Sequence, residues 1–176
     1  MRANRHCEGQ ALIESCLIVA AICLILMGLF QVSQLFAARE IMAYAAARGA
    51  RARAVGFNDF MARKTARVAS IPNAGHMTVP ARTGGGPLMQ REIERARIPL
   101  YLLAEHQAWA NAVLNYEEWD AVALSCSETP TTLNMTIRQN IPIRFFPRLF
   151  RAFFASDAVN MSQSVALENH YPLYLQ

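Results

Sequence analysis

Residues 16–30 read CLIVAAICLILMGLF, an unbroken apolar run with no charged or strongly polar position. Leu12 and Ile13 precede it, and Val32, Leu35, Phe36, Ala37 and Ala38 extend it. Together they reach the ~20 residues that a bilayer-spanning helix needs. A surface helix of a soluble domain keeps a polar face, and none exists over this run, so the pattern predicts a membrane span. The next stretch, AAREIMAYAAARGARARAVG, is rich in alanine. It predicts that the same helix runs on and stops at a Gly56 C-cap. Asn58 is placed to cap a second helix over 58–70. Pro72 to Pro87, with Gly75 and the glycines at 84–86, reads as a loop. Residues 88–116 carry a mostly helical pattern that Pro99 divides in two.

After that the period changes. Val122, Leu124 and Cys126 fall on one face; Leu133, Met135 and Ile137 on another; Val159, Met161, Val165 and Leu167 on a third. Alternation at period two predicts half-buried strands, with Ser127 to Thr131 turning the first into the second around Pro130. The expected fold is α+β: a long N-terminal transmembrane helix continues into a small domain of helices and an antiparallel sheet, the sheet packing on the extended helix. Between the last two strands Phe146, Phe150, Phe153 and Phe154 recur at helical spacing, with Arg148 and Arg151 among them. Such a stripe serves either as core or as an aromatic-basic face toward a bilayer or a neighbouring subunit.

Composition narrows the function. The chain has 176 residues, 53% apolar and 17% charged. That suits one domain with a modest core, and a charged share below the ~25% usual for soluble domains. The net charge of +4 comes from arginines crowded between Arg39 and Arg67 and thinly spread beyond. No basic-aromatic block or helix-turn-helix accompanies them, so nucleic acid is not an expected partner. Cys7, Cys16 and Cys23 lie before or inside the apolar run, which leaves Cys126 without an internal disulfide partner and in the role of a small strand residue. No cysteine or histidine pair has metal-ligand spacing: His76, His106 and His170 stand apart. The triple glycine lacks a following Gly-Lys-Ser/Thr and reads as a linker. Glu117, Glu118 and Asp120 read as a solvated helix end, and no serine sits in a nucleophile elbow. The expectation is a non-enzyme with no catalytic residues, no metal and no cofactor.

One residue breaks the apolar logic. Glu14 sits two positions before the uninterrupted run, where an ionised carboxylate costs ~2–3 kcal/mol and usually has a task. A plain helix-start role would favour the dipole by up to ~1 kcal/mol. A larger pattern includes it, however: Arg2, Arg5 and His6, then Gly9-Gln10-Ala11-Leu12-Ile13-Glu14, then the apolar helix. This resembles a type IV prepilin processing signal, with a basic leader, a glycine before the scissile bond and a glutamate fifth in the mature chain. The resemblance implies cleavage after Gly9 by a prepilin peptidase. Glu14 of one subunit would then neutralise the new Gln10 amine of a neighbour, turning a buried charge into a paired one.

Together with Arg48-Gly49-Ala50-Arg51 at the end of the alanine-rich stretch, these residues resemble the TadE-like pseudopilins of tight-adherence (Tad) pilus systems. The similarity covers the first 55 or so residues well. Thr132–Arg138, Pro142–Pro147 and Ala158–Glu168 resemble the family's last strands loosely. Ser15 departs from it, since members often carry an aromatic residue there. The resemblance implies a minor pilin or pseudopilin, made of a leader (1–9), a transmembrane helix (10–38) and an extracytoplasmic α+β domain (39–176). Its expected place is the bacterial inner membrane, single-pass, with the C-terminal domain periplasmic or extracellular. Expected partners are other pilin subunits, the peptidase and the lipid bilayer. Small residues at Cys16, Ala20 and Gly28 lie at multiples of four, a stripe along which helices can approach closely. Arg2 and Arg5 before the span, against Arg39, Arg48, Arg51 and Arg53 after it, argue for the reverse topology by count; prepilin cleavage requires a cytoplasmic leader. The alternative is a membrane-anchored binding protein unrelated to pili.

Overall fold

The computed structural model describes residues 5–81, 86–143, 151 and 158–168. Its elements run α1 (Arg5–Ala54), α2 (Asp59–Ala69), a 3-10 turn (Ile71–Asn73), β1 (Met77–Val79), α3 (Pro87–Leu103), α4 (Gln107–Val113), β2 (Asn115–Tyr116), β3 (Ala123–Glu128), β4 (Thr132–Pro142) and β5 (Ala158–Glu168). The chain divides into two units, Met1–Phe36 with Pro142–Asp157, and Ala37–Ile141 with Ala158–Gln176. The architecture is α+β, as the sequence predicts.

In the second unit, α1 ends where the glycine allows it. Gly56 has φ 98°. Its N–H donates to Arg53 O (2.9 Å) and that of Phe57 to Ala52 O (3.2 Å). These are the two bonds of a Schellman cap, which needs a left-handed residue and therefore favours glycine. Asn58 then accepts from Met61 N (2.8 Å) and starts α2 at the next residue. The turn is so short that α2 comes back along α1.

The three-stranded sheet has the order β3-β4-β5, with β3 and β4 antiparallel. Central β4 buries Leu133, Met135 and Ile137 completely against Met42, Ala45, Ala46 and Ala50 of α1 and Ala62 and Ala66 of α2. Flanking strands contribute half-buried Leu124, Cys126, Met161, Val165 and Leu167, all on the faces read from the alternation. Asn73 ties the layers together: its Nδ2 donates to Ala38 O (2.9 Å), and its own carbonyl accepts from buried Gln139 Nε2 (2.9 Å).

Three expectations need correction. The 72–87 loop contains a strand, β1, paired with β2 in a second sheet. Three residues are too few to show a period. Pro99 does not divide the helix: α3 runs through it, and an exposed proline costs one hydrogen bond without forcing an end. The break falls at Ala104, and residues 115–116 belong to β2 instead of a helix. The Phe146, Phe150, Phe153 and Phe154 stripe lies outside the described residues, as does most of the proline-bounded segment.

Ala104 marks the break because of a residue on α2. Lys64 is 1% exposed, and its Nζ donates to Leu102 O and Ala104 O, both at 2.6 Å. The ammonium thus satisfies carbonyls at the C-terminal, electronegative end of α3. Its remaining side faces the Phe60 ring at 4.5 Å. Around this junction lies a second core of Tyr101, Trp119, Tyr116, Leu114 and Met77. Trp119 meets Tyr101 and Tyr116 at 5.1 and 4.7 Å between centroids, and Tyr116 donates its hydroxyl to Glu94 (2.8 Å).

Burial lowers the Lys64 pKa and raises those of Tyr101 and Tyr116. For Lys64 the unfolded chain binds more protons, so stability rises with pH between its depressed folded pKa and the unfolded ~10.4. For the tyrosines the unfolded chain loses protons first, so stability falls above ~10. Lys64→Met should cost about 1–3 kcal/mol at neutral pH, because two carbonyls lose their donor, and should flatten the rise below pH ~10. Thermal unfolding of the detergent-solubilised chain across pH checks both; a variant as stable as wild type with the same pH profile refutes this role.

Candidate functional site: the faces of the N-terminal helix

In the first unit, residues 16–30 of α1 present apolar side chains all round. Leu12 and Leu17 are 66% exposed, and Ile13, Ile25, Leu29 and Phe30 are similarly bare. No residue of its most apolar window is buried, which distinguishes it from the core helix of a soluble protein. It is long and apolar enough to serve as a single membrane anchor.

Gln10 and Glu14 are both exposed and lie one turn apart, on one side of the helix. Among the described residues no cation forms an ion pair with Glu14. Ser15 turns its hydroxyl back onto the helix, donating to Ala11 O at 2.8 Å, so the polar group after Glu14 is internally satisfied and makes no demand on lipid. Cys16, Ala20 and Gly28 are exposed, Cys16 as a free thiol, and a methyl group built on Gly28 would meet nothing within 4 Å. Within this chain the small-residue positions have no packing partner among the described residues.

In the second unit the same helix is amphipathic. Ala38, Met42, Ala45, Ala46 and Ala50 are buried; Glu40, Tyr44, Arg48 and Arg51 are exposed on the other side. The Arg48-Gly49-Ala50-Arg51 motif is split between the two. Gly49 and Ala50 face inward, and the arginines face outward. At Gly49 a Cβ would lie 3.0 Å from Met135 Cε, 3.1 Å from Ala66 Cβ and 3.3 Å from Ala62 O. Arg53 turns sideways: its Nε and Nη2 donate to Glu128 Oε2 (3.2 and 2.9 Å), and Nη1 to Phe57 O (3.1 Å), tying α1 to the end of β3. The Glu128 bond raises the Arg53 pKa. Sequence reasoning quoted Gly49 only as part of a motif. The signal for its role was available: a glycine four residues after Ala45, with Ala46 and Ala50 beside it, marks a close helix approach.

The predicted acidic cluster is a turn after β2, with Glu117 and Asp120 exposed, and no group of three metal-ligating side chains forms among the described residues. Cys126 is half-buried on β3, and burial raises its thiol pKa.

Residues 9–51 match the family model described as TadE-like protein. The match begins at Gly9 and ends at Arg51, so it spans the Gly9-to-Glu14 segment, the apolar run and the buried Gly49-Ala50 pair. No curated protein and no solved structure matches the chain.

The two glycines of α1 give opposite expectations. Gly49→Val should destabilise the second unit by about 1–3 kcal/mol through overpacking, whereas Gly28→Val should leave unfolding within about 0.5 kcal/mol of wild type. Thermal melts of both variants in detergent check this, and equal shifts would refute the assignment.

Proposed function

We propose that this chain is a minor pilin or pseudopilin of a Tad-type pilus, a structural or assembly component that acts by helix packing and not by catalysis. The observation that carries the reading is the Gly9-Gln10 and Glu14 pattern at the head of an apolar helix, inside the segment that matches the TadE-like family. On this reading residues 1–9 are a cytoplasmic leader, 10–38 the inner-membrane helix and 39–176 the periplasmic or extracellular domain.

The chemistry follows from the bilayer. A prepilin peptidase would cut after Gly9, and the α-amine of Gln10 would then need an anion once it leaves water. Glu14 of a neighbouring subunit supplies it, and each charge makes the other tolerable. Since α1 begins at Arg5, Gly9 lies about a turn inside the helix. The peptidase must open that turn, and a glycine, ~1 kcal/mol poorer than alanine in a helix, makes the opening easier. Cys16, Ala20 and Gly28 would let a neighbour's helix approach in the membrane.

The experiment is an intact-mass measurement and partner capture on protein from pilus-forming cells. The mature chain should begin at Gln10. Glu14→Ala should accumulate in the membrane at near-normal level yet lose partner subunits. Breaking such a buried pair costs ~3–5 kcal/mol, or roughly two to four orders of magnitude in affinity. A chain that keeps Met1 or Arg2 at its N-terminus, with equal partner yields from both proteins, would favour the anchored binding protein unrelated to pili.

A further inference from the structure

Helix α3 is apolar on two sides. One side joins the second core through Tyr101, Ile98 and Leu102. On the other, Leu88, Met89, Ala96, Pro99, Leu100 and Leu103 are all exposed and share a sector roughly 120° wide at 100° per residue. The leucines and the methionine are between 49% and 75% exposed, and the row extends about 22 Å along the helix. Glu92 is the one charge inside the sector; Arg91 and Arg95 line one margin and Arg97 the other. Among the described residues, no ion pair involves any of these arginines. Glu94 is engaged on the core side, where it accepts from the Tyr116 hydroxyl and from Gln90 Nε2, both at 2.8 Å. Contiguous apolar surface rimmed by charge marks a contact with something outside the chain.

We propose that this face of α3 is a lipid-contact surface. It lies in the headgroup region of an anionic phospholipid bilayer, with Leu100 and Leu103 at the acyl boundary and Arg91 and Arg95 against the phosphates. Two observations choose lipid over a second copy of the chain. The first is charge. Two copies meeting through this face would each bring three arginines and one glutamate, so like charge would rim the contact, whereas phosphates oppose it in sign. The second is location. The unit that carries α3 begins at Ala37, directly after an apolar run long enough to cross a membrane, so a lipid surface is at hand. An apolar helix face bounded by arginines is the pattern of a helix lying in the membrane interface. Glu92 keeps the first half of the face shallow, and the charge-free half from Ala96 to Leu103 goes deeper. The inference rests on the membrane anchor alone, which the pilin reading and its anchored-protein alternative share.

The test uses the full-length chain reconstituted in phosphatidylcholine vesicles, with or without phosphatidylglycerol, that carry a phospholipid with a photoreactive group on its acyl chain. After illumination, peptide mass mapping reads which residues are labelled. Label should appear in the apolar run of α1 in both lipids, and in residues 88–103 about 3–10-fold more strongly with phosphatidylglycerol. Arg91→Glu with Arg95→Glu should remove that gain, as should high salt. Leu100→Glu with Leu103→Glu should lower the α3 label about 10-fold and leave that of α1 unchanged. Unchanged unfolding temperatures of these exposed variants separate contact from folding. Label confined to α1 in both lipids overturns the inference and leaves the pilin reading intact. Label in α3 that ignores the lipid charge, the arginine changes or the leucine changes overturns it as well. So does a face that takes no lipid label but crosslinks to its counterpart in a second copy, which makes it a subunit contact. Absence of label from α1 overturns the anchor, and every membrane reading with it.

Discussion

A methyl group at Gly49 would sit within 3.0–3.3 Å of a β4 side chain, an α2 side chain and an α2 carbonyl. That one close approach sets the geometry of the second unit. With alanines at 45, 46, 50, 62 and 66 around it, α1 and α2 lie near enough for Met135 of β4 to reach both. Larger residues would push the helices apart and lift the sheet from its seat. The short Schellman turn at Gly56 and the Asn58 cap exist on the same terms, because they return α2 along α1 with no loop to spare. Polar ties then fix what small side chains cannot, at Asn73 near one end and at Arg53–Glu128 near the other.

The large features could be read from the residues because each rests on a local rule. An apolar run without a polar face, an asparagine at a helix start, a glycine after a helix and strict alternation along 133–137 all encode their outcome within a few positions. The same alternation marked the face of β5 that carries Met161, Val165 and Leu167, while its full extent came with the family resemblance. What escaped depends on distant partners. β1 is a strand only because Tyr116 lies beside Met77. The end of α3 is set less by Pro99 than by Lys64, 40 residues away from the carbonyl of Ala104 that it satisfies. A lone lysine among polar residues of α2 gives no hint that it will be buried. The Gly9-Gln10 and Glu14 pattern was legible as a motif, and residues 9–51 match the TadE-like model.

Helix α1 carries two different surface regimes in one continuous element. Over residues 16–30 it is apolar on every side, which suits lipid or other helices. From Ala38 it has one inward face of small residues and one outward face of mixed charge. The change matters for assembly. An all-apolar helix selects no rotation about its own axis, since lipid accepts every side equally, and small residues alone give approach without direction. Within the second unit, a helix clamped to a sheet along one face has a fixed rotation, and the close approach at Gly49 sets it.

Charges in lipid are expensive enough that, on the pilin reading, Glu14 would serve a single pairing and little else. Charges in water are individually weak, each exposed pair giving at most ~1 kcal/mol, but they can be ordered along a helix at low cost. On the pilin reading, helix packing along the apolar segment carries the association. The TadE-like match ends at Arg51, two residues before the arginine that turns back to hold the sheet through Glu128.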